Sequence, residues 1–182
     1  MKVLLGVTGS IAAYKAAELV RLMQKREWEV RVVMTRAATE FVGELTFRSL
    51  SRHPVQIEMF EASDRWRPDH ISMSEWADVM LIAPCTANVM AKLAHGLADD
   101  LLTCTTLALE HAPLVIAPAM NDRMWDHPAT QANAELLVAR GAHLVQVGSG
   151  DLACGYQARG RMADLHEILA QVERAAATPG TA

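Results

Sequence analysis

Short runs of β-branched and aliphatic residues alternate along this chain with segments of helical periodicity, and no other feature restricts the fold as much. The strand-like runs cover residues 2–7, 29–34, 79–83, 114–117 and 143–147. They are nearly continuous in apolar character, as strands buried on both faces are, rather than alternating as a half-exposed strand would be. Between the first two, Ile11, Ala12, Ala16, Leu19 and Met23 recur at helical spacing and predict an amphipathic helix over 11–26. Residues 86–94, 99–110 and 129–140 read as further helices, with Gly96 dividing the first two and Gly141 placed to cap the third. The stretch 148–162 has glycines and little periodicity and reads as a loop, a helix resumes at Asp164, and residues 176–182 read as a frayed tail. Strands alternating with helices predict a three-layer α/β sandwich, one domain over 1–175 with a central parallel sheet covered on both faces.

Composition narrows the function classes. At 182 residues, with 51% hydrophobic and 21% charged side chains, the chain is an ordinary globular domain and not a disordered one. A net charge of −4 without any basic stripe argues against a nucleic-acid partner. No apolar run approaches the roughly 20 residues that span a bilayer, and the apolar start at 1–7 is too short for a signal peptide. Cys85, Cys104 and Cys154 are odd in number and far apart, so neither a disulfide framework nor a zinc site is expected, and the default compartment is the reducing cytoplasm. The histidines show no paired metal-ligand spacing, and no metal site is expected.

Polar chemistry gathers where the strand-like runs end. The turn Val7-Thr8-Gly9-Ser10 leads from the first strand into the first helix, whose free N–H groups and dipole suit a phosphate. It matches neither the dinucleotide glycine pattern nor a Walker loop, so a mononucleotide is the functional reading and a plain turn the structural one. Thr35, followed by Thr39 and Phe41, ends the second strand and either reaches the same ligand or caps a helix. The third strand run ends in Ala83-Pro84-Cys85-Thr86-Ala87-Asn88, again small and polar. His70 precedes that run at a helix start, where the dipole favours a neutral ring able to take a proton, although lone histidines are commonly structural. Cys154 sits in the glycine-containing loop and could donate a proton from a flap over substrate, while Cys85 and Cys104 read as packing residues. Met90, Met120 and Met124 read as core or interface fillers.

The fourth run ends in Pro118-Ala119-Met120-Asn121-Asp122-Arg123-Met124-Trp125, which carries Asn121 at the carboxyl end of a strand. A neutral amide there can donate to a substrate carboxylate. This octapeptide resembles the Pro-x-Met-Asn-x-x-Met-Trp signature of the homo-oligomeric flavin-containing cysteine decarboxylases. The likeness extends from about Lys2 to Ile168 through Gly-Val-Thr-Gly-Ser-Ile-Ala-Ala-Tyr-Lys at 6–15, His70-Ile71, Trp76-Ala77-Asp78, Ala-Pro-x-Thr-Ala-Asn at 83–88 and Asp-Asp-Leu-Leu-Thr at 99–103. It continues in Ala-Cys-Gly at 153–155 and Gly-Arg-Met at 160–162. Ala158 departs from it, standing where the family loop commonly has glycine.

The resemblance implies a Rossmann-like or flavodoxin-like sandwich and FMN as cofactor, held by Gly9, Ser10, Ile11, Thr35, Thr86, Ala87, Asn88, Val89 and Ala119. It implies His70 as catalytic base, Asn121 as the substrate amide, and Cys154 as proton donor on a flap with Asp151, Leu152 and Ala153. The implied reaction is decarboxylation of 4′-phospho-N-pantothenoylcysteine to 4′-phosphopantetheine in coenzyme A biosynthesis, through thioaldehyde and enethiolate species. The implied assembly is a homo-oligomer, a trimer or a dodecamer made of trimers. Two alternatives share the scaffold: a peptidyl-cysteine oxidative decarboxylase, against which Cys154 counts, and a non-catalytic flavin-binding regulatory subunit. Many bacterial relatives continue into a synthetase domain. This sequence stops at Ala182, so that activity is expected elsewhere unless the sequence ends at a domain boundary.

Overall fold

The computed structural model describes residues 1–60, 68–151, 155 and 157–177. In chain order the elements are β1 (Lys2–Val7), α1 (Ala13–Gln24), β2 (Glu29–Met34), α2 (Arg36–Thr39), α3 (Glu44–Ser51), β3 (Val55–Gln56), α4 (Asp69–Trp76), β4 (Val79–Cys85) and α5 (Ala87–His95). There follow α6 (Leu101–Leu107), β5 (Leu114–Pro118), α7 (Asp122–Trp125), α8 (Pro128–Ala139), β6 (His143–Leu144), β7 (Gly148–Asp151), β8 (Gln157–Arg161) and α9 (Leu165–Ala177).

Six strands form a parallel sheet in the order β3-β2-β1-β4-β5-β6. The chain winds outward from β1 to β3, returns to β4 beside β1, and winds outward again to β6. Loops after β1 and β4 therefore leave the sheet in opposite directions, and the crevice between them is where doubly wound folds bind ligands. This order is the Rossmann-type one of the two that the sequence left open.

Strand pleating sorts the core into two faces. Val3, Leu5 and Val7 of β1 face α1, α3 and α9, where Leu19, Phe47 and Ile168 are fully buried. Leu4 faces the other way, with Met80, Ile82 and Ile116, toward Met90 of α5 and Leu102 of α6. Each of these large side chains contributes roughly 1.5–3 kcal/mol by leaving water. All seven residues of β4 are buried, as a strand covered on both faces requires.

The structure revises several boundaries. The region 148–162, expected to be a loop, forms the antiparallel hairpin β7–β8, with Gly148 opposite Arg161 and Asp151 opposite Gln157. Apart from Ala158 its strand residues are polar or glycine and belong to neither core cluster, so burial imposes no alternating pattern on them. The expected fifth strand at 143–147 shrinks to two residues. The expected helix 99–110 starts at Leu101 because Asp100 is its N-cap, in a capping box with Thr103. The last helix runs through Ala177, so the expected domain end at 175 falls inside it, and the rest of the expected tail, 178–182, lies outside the described residues.

Candidate cofactor and substrate site

Thr8 is the clamp that shapes the crevice. It is fully buried, its Oγ1 donates to the Pro84 carbonyl at 2.7 Å, and the same oxygen accepts the Thr86 N–H at 3.1 Å. One hydroxyl thus ties the exit of β1 to the exit of β4. Next to it Gly9 runs against α2: a Cβ there would lie 2.6 Å from the Ala37 Cβ and 3.0 Å from the Ala37 backbone. No side chain fits between these two turns.

A cavity of about 510 Å³ opens here, lined by Gly9, Thr35, Thr86, Ala87, Asn88 and Val89 among others. Those six are residues to which the resemblance gave the cofactor. Thr35 occupies the N-cap position of α2, yet its hydroxyl makes no capping bond. Its Oγ1 is buried without a hydrogen-bond partner among the described residues. Such an orphan costs about 1–3 kcal/mol unless a ligand satisfies it, which disfavours capping as its role. Thr39, by contrast, spends its hydroxyl on the Arg36 carbonyl at 2.7 Å within its own helix. Thr86 caps α5 by accepting the Val89 N–H at 3.3 Å. A bare glycine turn, an unsatisfied hydroxyl and a capped helix start at the switch point fit a phosphorylated mononucleotide such as FMN.

The other three residues assigned to the cofactor do not line this cavity. Ser10 accepts the Ala12 N–H at 3.3 Å within its own turn, Ile11 is 58% exposed beside it, and Ala119 is buried at the end of β5. Sequence reasoning missed Lys92, Asp99 and Asp100, which line it together with Met124, read from sequence as a filler. The Lys92 ammonium pairs with Asp99 at 2.7 Å and Asp100 at 3.2 Å. The Asp99 hydrogen bond foremost holds the Lys92 pKa above the ordinary lysine value. The helical i, i+4 spacing of Asn88 and Lys92 was the available signal.

One strand further out, Ala119 donates its N–H to the Cys85 carbonyl at 3.0 Å, joining the ends of β5 and β4. Asn121 caps α7, its Oδ1 accepting the Arg123 N–H at 3.0 Å. The hairpin rests on this segment: Met120 donates to the Gly160 carbonyl at 3.0 Å. Gly160 has φ +111°, and a Cβ on it would lie 2.5 Å from the Met120 carbonyl oxygen. Ala158, in strand β8 opposite Gly150, is not among the residues with positive φ, so glycine is not required there.

His70 is half-buried in the first turn of α4, a helix that packs on α6, and it lines neither of the two large cavities. Within one chain it is therefore not brought into the crevice. Asp151 ends β7; Leu152, Ala153 and Cys154 lie outside the described residues. Cys85 is a core residue whose thiol is pushed up to about 12 by burial, so it stays protonated and inert. Burial foremost, then Asp100 and Asp99, also raises the Cys104 thiol. Among the described residues no helix is long and apolar enough to cross a membrane, and no three His, Cys, Asp or Glu side chains are grouped to hold a metal ion.

Comparison with known proteins places relatives beside this geometry. The family model described as Flavoprotein matches residues 1–177. The coenzyme A biosynthesis bifunctional protein CoaBC of Bacillus subtilis (strain 168) is 44% identical over 172 residues, covering 94% of this chain and 42% of that protein. The chain thus spans about two fifths of the length of such bifunctional relatives. A probable phosphopantothenoylcysteine decarboxylase of Streptococcus mutans is 43% identical over 173 residues, covering 94% of this chain and 97% of that one. Among solved structures, a mutant PPC decarboxylase complexed with pantothenoylaminoethenethiol superposes with a TM-score of 0.85 at 33% identity, covering 95% of this chain and 96% of that one. The FMN-dependent cysteine decarboxylase SpaF superposes with a TM-score of 0.84 at 32% identity, covering 98% of each chain.

Proposed function

This chain belongs to the flavoprotein family, and from that premise we propose that it binds FMN and decarboxylates 4′-phospho-N-pantothenoylcysteine to 4′-phosphopantetheine, the coenzyme A precursor. The observation that carries the reading is the orphaned, buried Thr35 hydroxyl in a glycine-floored crevice, one strand from the Asn121 segment. The Streptococcus mutans relative of matching length supports the substrate, and the SpaF likeness supports the cofactor.

Held by Gly9, Thr35, Thr86, Ala87, Asn88 and Val89, FMN would supply a reversible two-electron acceptor, which would leave the overall reaction without net redox change. The protein's part is to place and protonate. His70 takes the substrate thiol proton as general base. Asn121, placed at the exit of β5 where its amide oxygen accepts from the Arg123 N–H, is the amide that binds the substrate carboxylate in this proposal. Carbon dioxide leaves once the neighbouring carbon carries a C=S group able to accept the electron pair, which yields the enethiolate. Cys154 then donates the proton that completes the saturated thiol, with Asp151, Leu152 and Ala153 beside it on the flap. Ser10, Ile11 and Ala119 complete the cofactor's surroundings.

The working form in this proposal is a cytoplasmic homo-oligomer, a trimer or a dodecamer. Two features support it: exposed Ile11, Tyr14, Phe41 and Leu45, and the position of His70 away from its own chain's crevice, which a neighbouring subunit would remedy.

The test is mass spectrometry of purified yellow protein incubated anaerobically with 4′-phosphopantothenoylcysteine, beside a peptide ending in cysteine. Wild type should form 4′-phosphopantetheine and leave the peptide untouched, while Cys154→Ser should accumulate the enethiol. Enethiol from the peptide alone would move the protein to peptide maturation. Turnover of neither by flavin-loaded protein would favour the regulatory alternative.

A further inference from the structure

Helix α4 carries His70, yet the core holds little of that helix. Only Met73 and Ser74 of its residues are buried, and its N-cap, Pro68, makes no side-chain capping bond. Contact with α6 supplies one side of its seat. The firmer hold lies at its other end, in Trp76-Ala77-Asp78, a segment that the reaction above leaves without a task. Asp78 and Lys2 exchange two hydrogen bonds: the Asp78 carboxylate accepts the Lys2 N–H at 2.7 Å, and the Asp78 N–H donates to the Lys2 carbonyl at 2.9 Å. These tie the exit of α4 to the start of β1, at the sheet edge opposite the crevice. Trp76, the last residue of α4, has the Arg31 guanidinium over its ring, 4.2 Å from the centroid. Arg31 comes from β2, on the same strand face as Glu29. Glu29 Oε1 lies 3.8 Å from an Arg31 nitrogen and 3.5 Å from His53 Nε2, so the guanidinium has a carboxylate as well as a ring to hold its place. A cation over an indole face is attracted by the ring quadrupole, and one at the end of a helix suits the negative end of its dipole.

His70 stands about 9 Å from Trp76 along the helix axis, at roughly 1.5 Å per residue. A short helix turns as one body, so a tilt at Trp76 becomes a displacement at His70. We propose that Arg31, by clamping Trp76, is a positioning residue for His70: it sets the tilt of α4 and thereby the place of the base. This rests on His70 being the base of the decarboxylase reading above. Asp78 and Arg31 divide the work. The Asp78 bonds also join the starts of β1 and β4, so their loss would disturb the sheet itself. The Arg31 side chain is 32% exposed and touches the helix from outside the core, so its loss frees α4 and leaves the sheet intact.

The experiment follows flavin reduction in the holoenzyme after rapid anaerobic mixing with 4′-phosphopantothenoylcysteine, by loss of flavin absorbance. It uses wild type, Arg31→Ala, Arg31→Lys, Trp76→Phe, His70→Gln and the double variant Arg31→Ala/His70→Gln, with hydrogen exchange of the α4 amides measured on each. Arg31→Ala should slow reduction roughly 10- to 100-fold, as a base displaced by an ångström implies. Its half-saturating substrate concentration and bound FMN should match wild type, while its α4 amides exchange faster. Arg31→Lys and Trp76→Phe keep a cation over a ring and should recover most of the rate. Without His70, loss of Arg31 should cost nothing further. Raising the pH through about 8.5, where a thiol ionises unaided, should narrow the gap between Arg31→Ala and wild type. A merely structural loss would persist in both conditions. Arg31→Ala at the wild-type rate, or a loss equal with and without His70, would overturn the positioning role and leave the decarboxylase standing. A wild-type flavin that this substrate never reduces would overturn the decarboxylase reading and the role of Arg31 with it.

Discussion

The crevice at the β1/β4 switch point and the Asn121–hairpin region lie at the same edge of one sheet but are held in different ways. The crevice is framed by fully buried strands, and a single hydroxyl, that of Thr8, bonds both strand exits. The second region is joined by backbone contacts between segments some forty positions apart, Met120 and Gly160, with no side chain between them. The first has the rigidity of the core that frames it. The second can hold its geometry only while one glycine keeps a conformation that other residues resist. A cofactor held through many turnovers suits the first, and a substrate that must enter and leave suits the second.

Glycine replacement should separate the two regions most sharply. Gly160→Ala forces a side chain into the Met120 carbonyl at positive φ, at a cost on the order of 3 kcal/mol. It should lower kcat/KM about a hundredfold through a displaced Asn121, yet the protein should stay yellow. Gly9→Ala should instead give colourless protein, with turnover lost along with the flavin. Steady-state kinetics with flavin absorbance reads both, and a Gly160→Ala enzyme at wild-type rate would uncouple the hairpin from Asn121.

A smaller effect is expected at the clamp. Thr8→Val leaves the Pro84 carbonyl and the Thr86 N–H without their partner in a buried place, which should destabilise by about 1–3 kcal/mol. Denaturant unfolding should show a lower midpoint with unchanged slope, and a midpoint equal to wild type would mean the strand exits hold together without Thr8.

The smallest effect has a sign that depends on the ligand. Thr35→Val removes an oxygen that has no partner among the described residues. The flavin-free protein should be unchanged or more stable, while FMN affinity should fall roughly 5- to 10-fold for one lost hydrogen bond. Titration of apoprotein by fluorescence, with thermal unfolding alongside, measures both. Unchanged affinity would remove Thr35 from the cofactor site and leave the crevice's fit resting on Gly9 and the α5 start.

Legibility follows the same divide. Strands β1 and β2 were read to their end residues, because parallel strands buried on both faces have continuous apolar runs with sharp polar limits. Helix α6 was read two residues too early at its start, since the acid pair before it looks helical until Asp100 is seen turning its side chain back to the Thr103 N–H at 2.8 Å. The hairpin was unreadable by periodicity because its strands are mostly polar and bury no continuous face. At the site, Gly9, Thr35 and Thr86 were legible as small polar residues at strand exits. For Lys92 only the i, i+4 spacing from Asn88 was legible, because its pairing with Asp99 and Asp100 depends on the return of the chain.

By itself the sequence determined the layered α/β architecture, the strand exits where chemistry gathers, and the Asn121 segment, for these depend on periodicity and on residue types adjacent in the chain. The tertiary structure alone decided that the Thr35 hydroxyl is orphaned rather than capping, that Gly160 is the seat of the hairpin, and that Arg31 lies over Trp76. Each of these is a contact, or a missing one, between segments far apart in the chain. Burial and distance across such segments follow from how the sheet is wound and cannot be read from either segment alone.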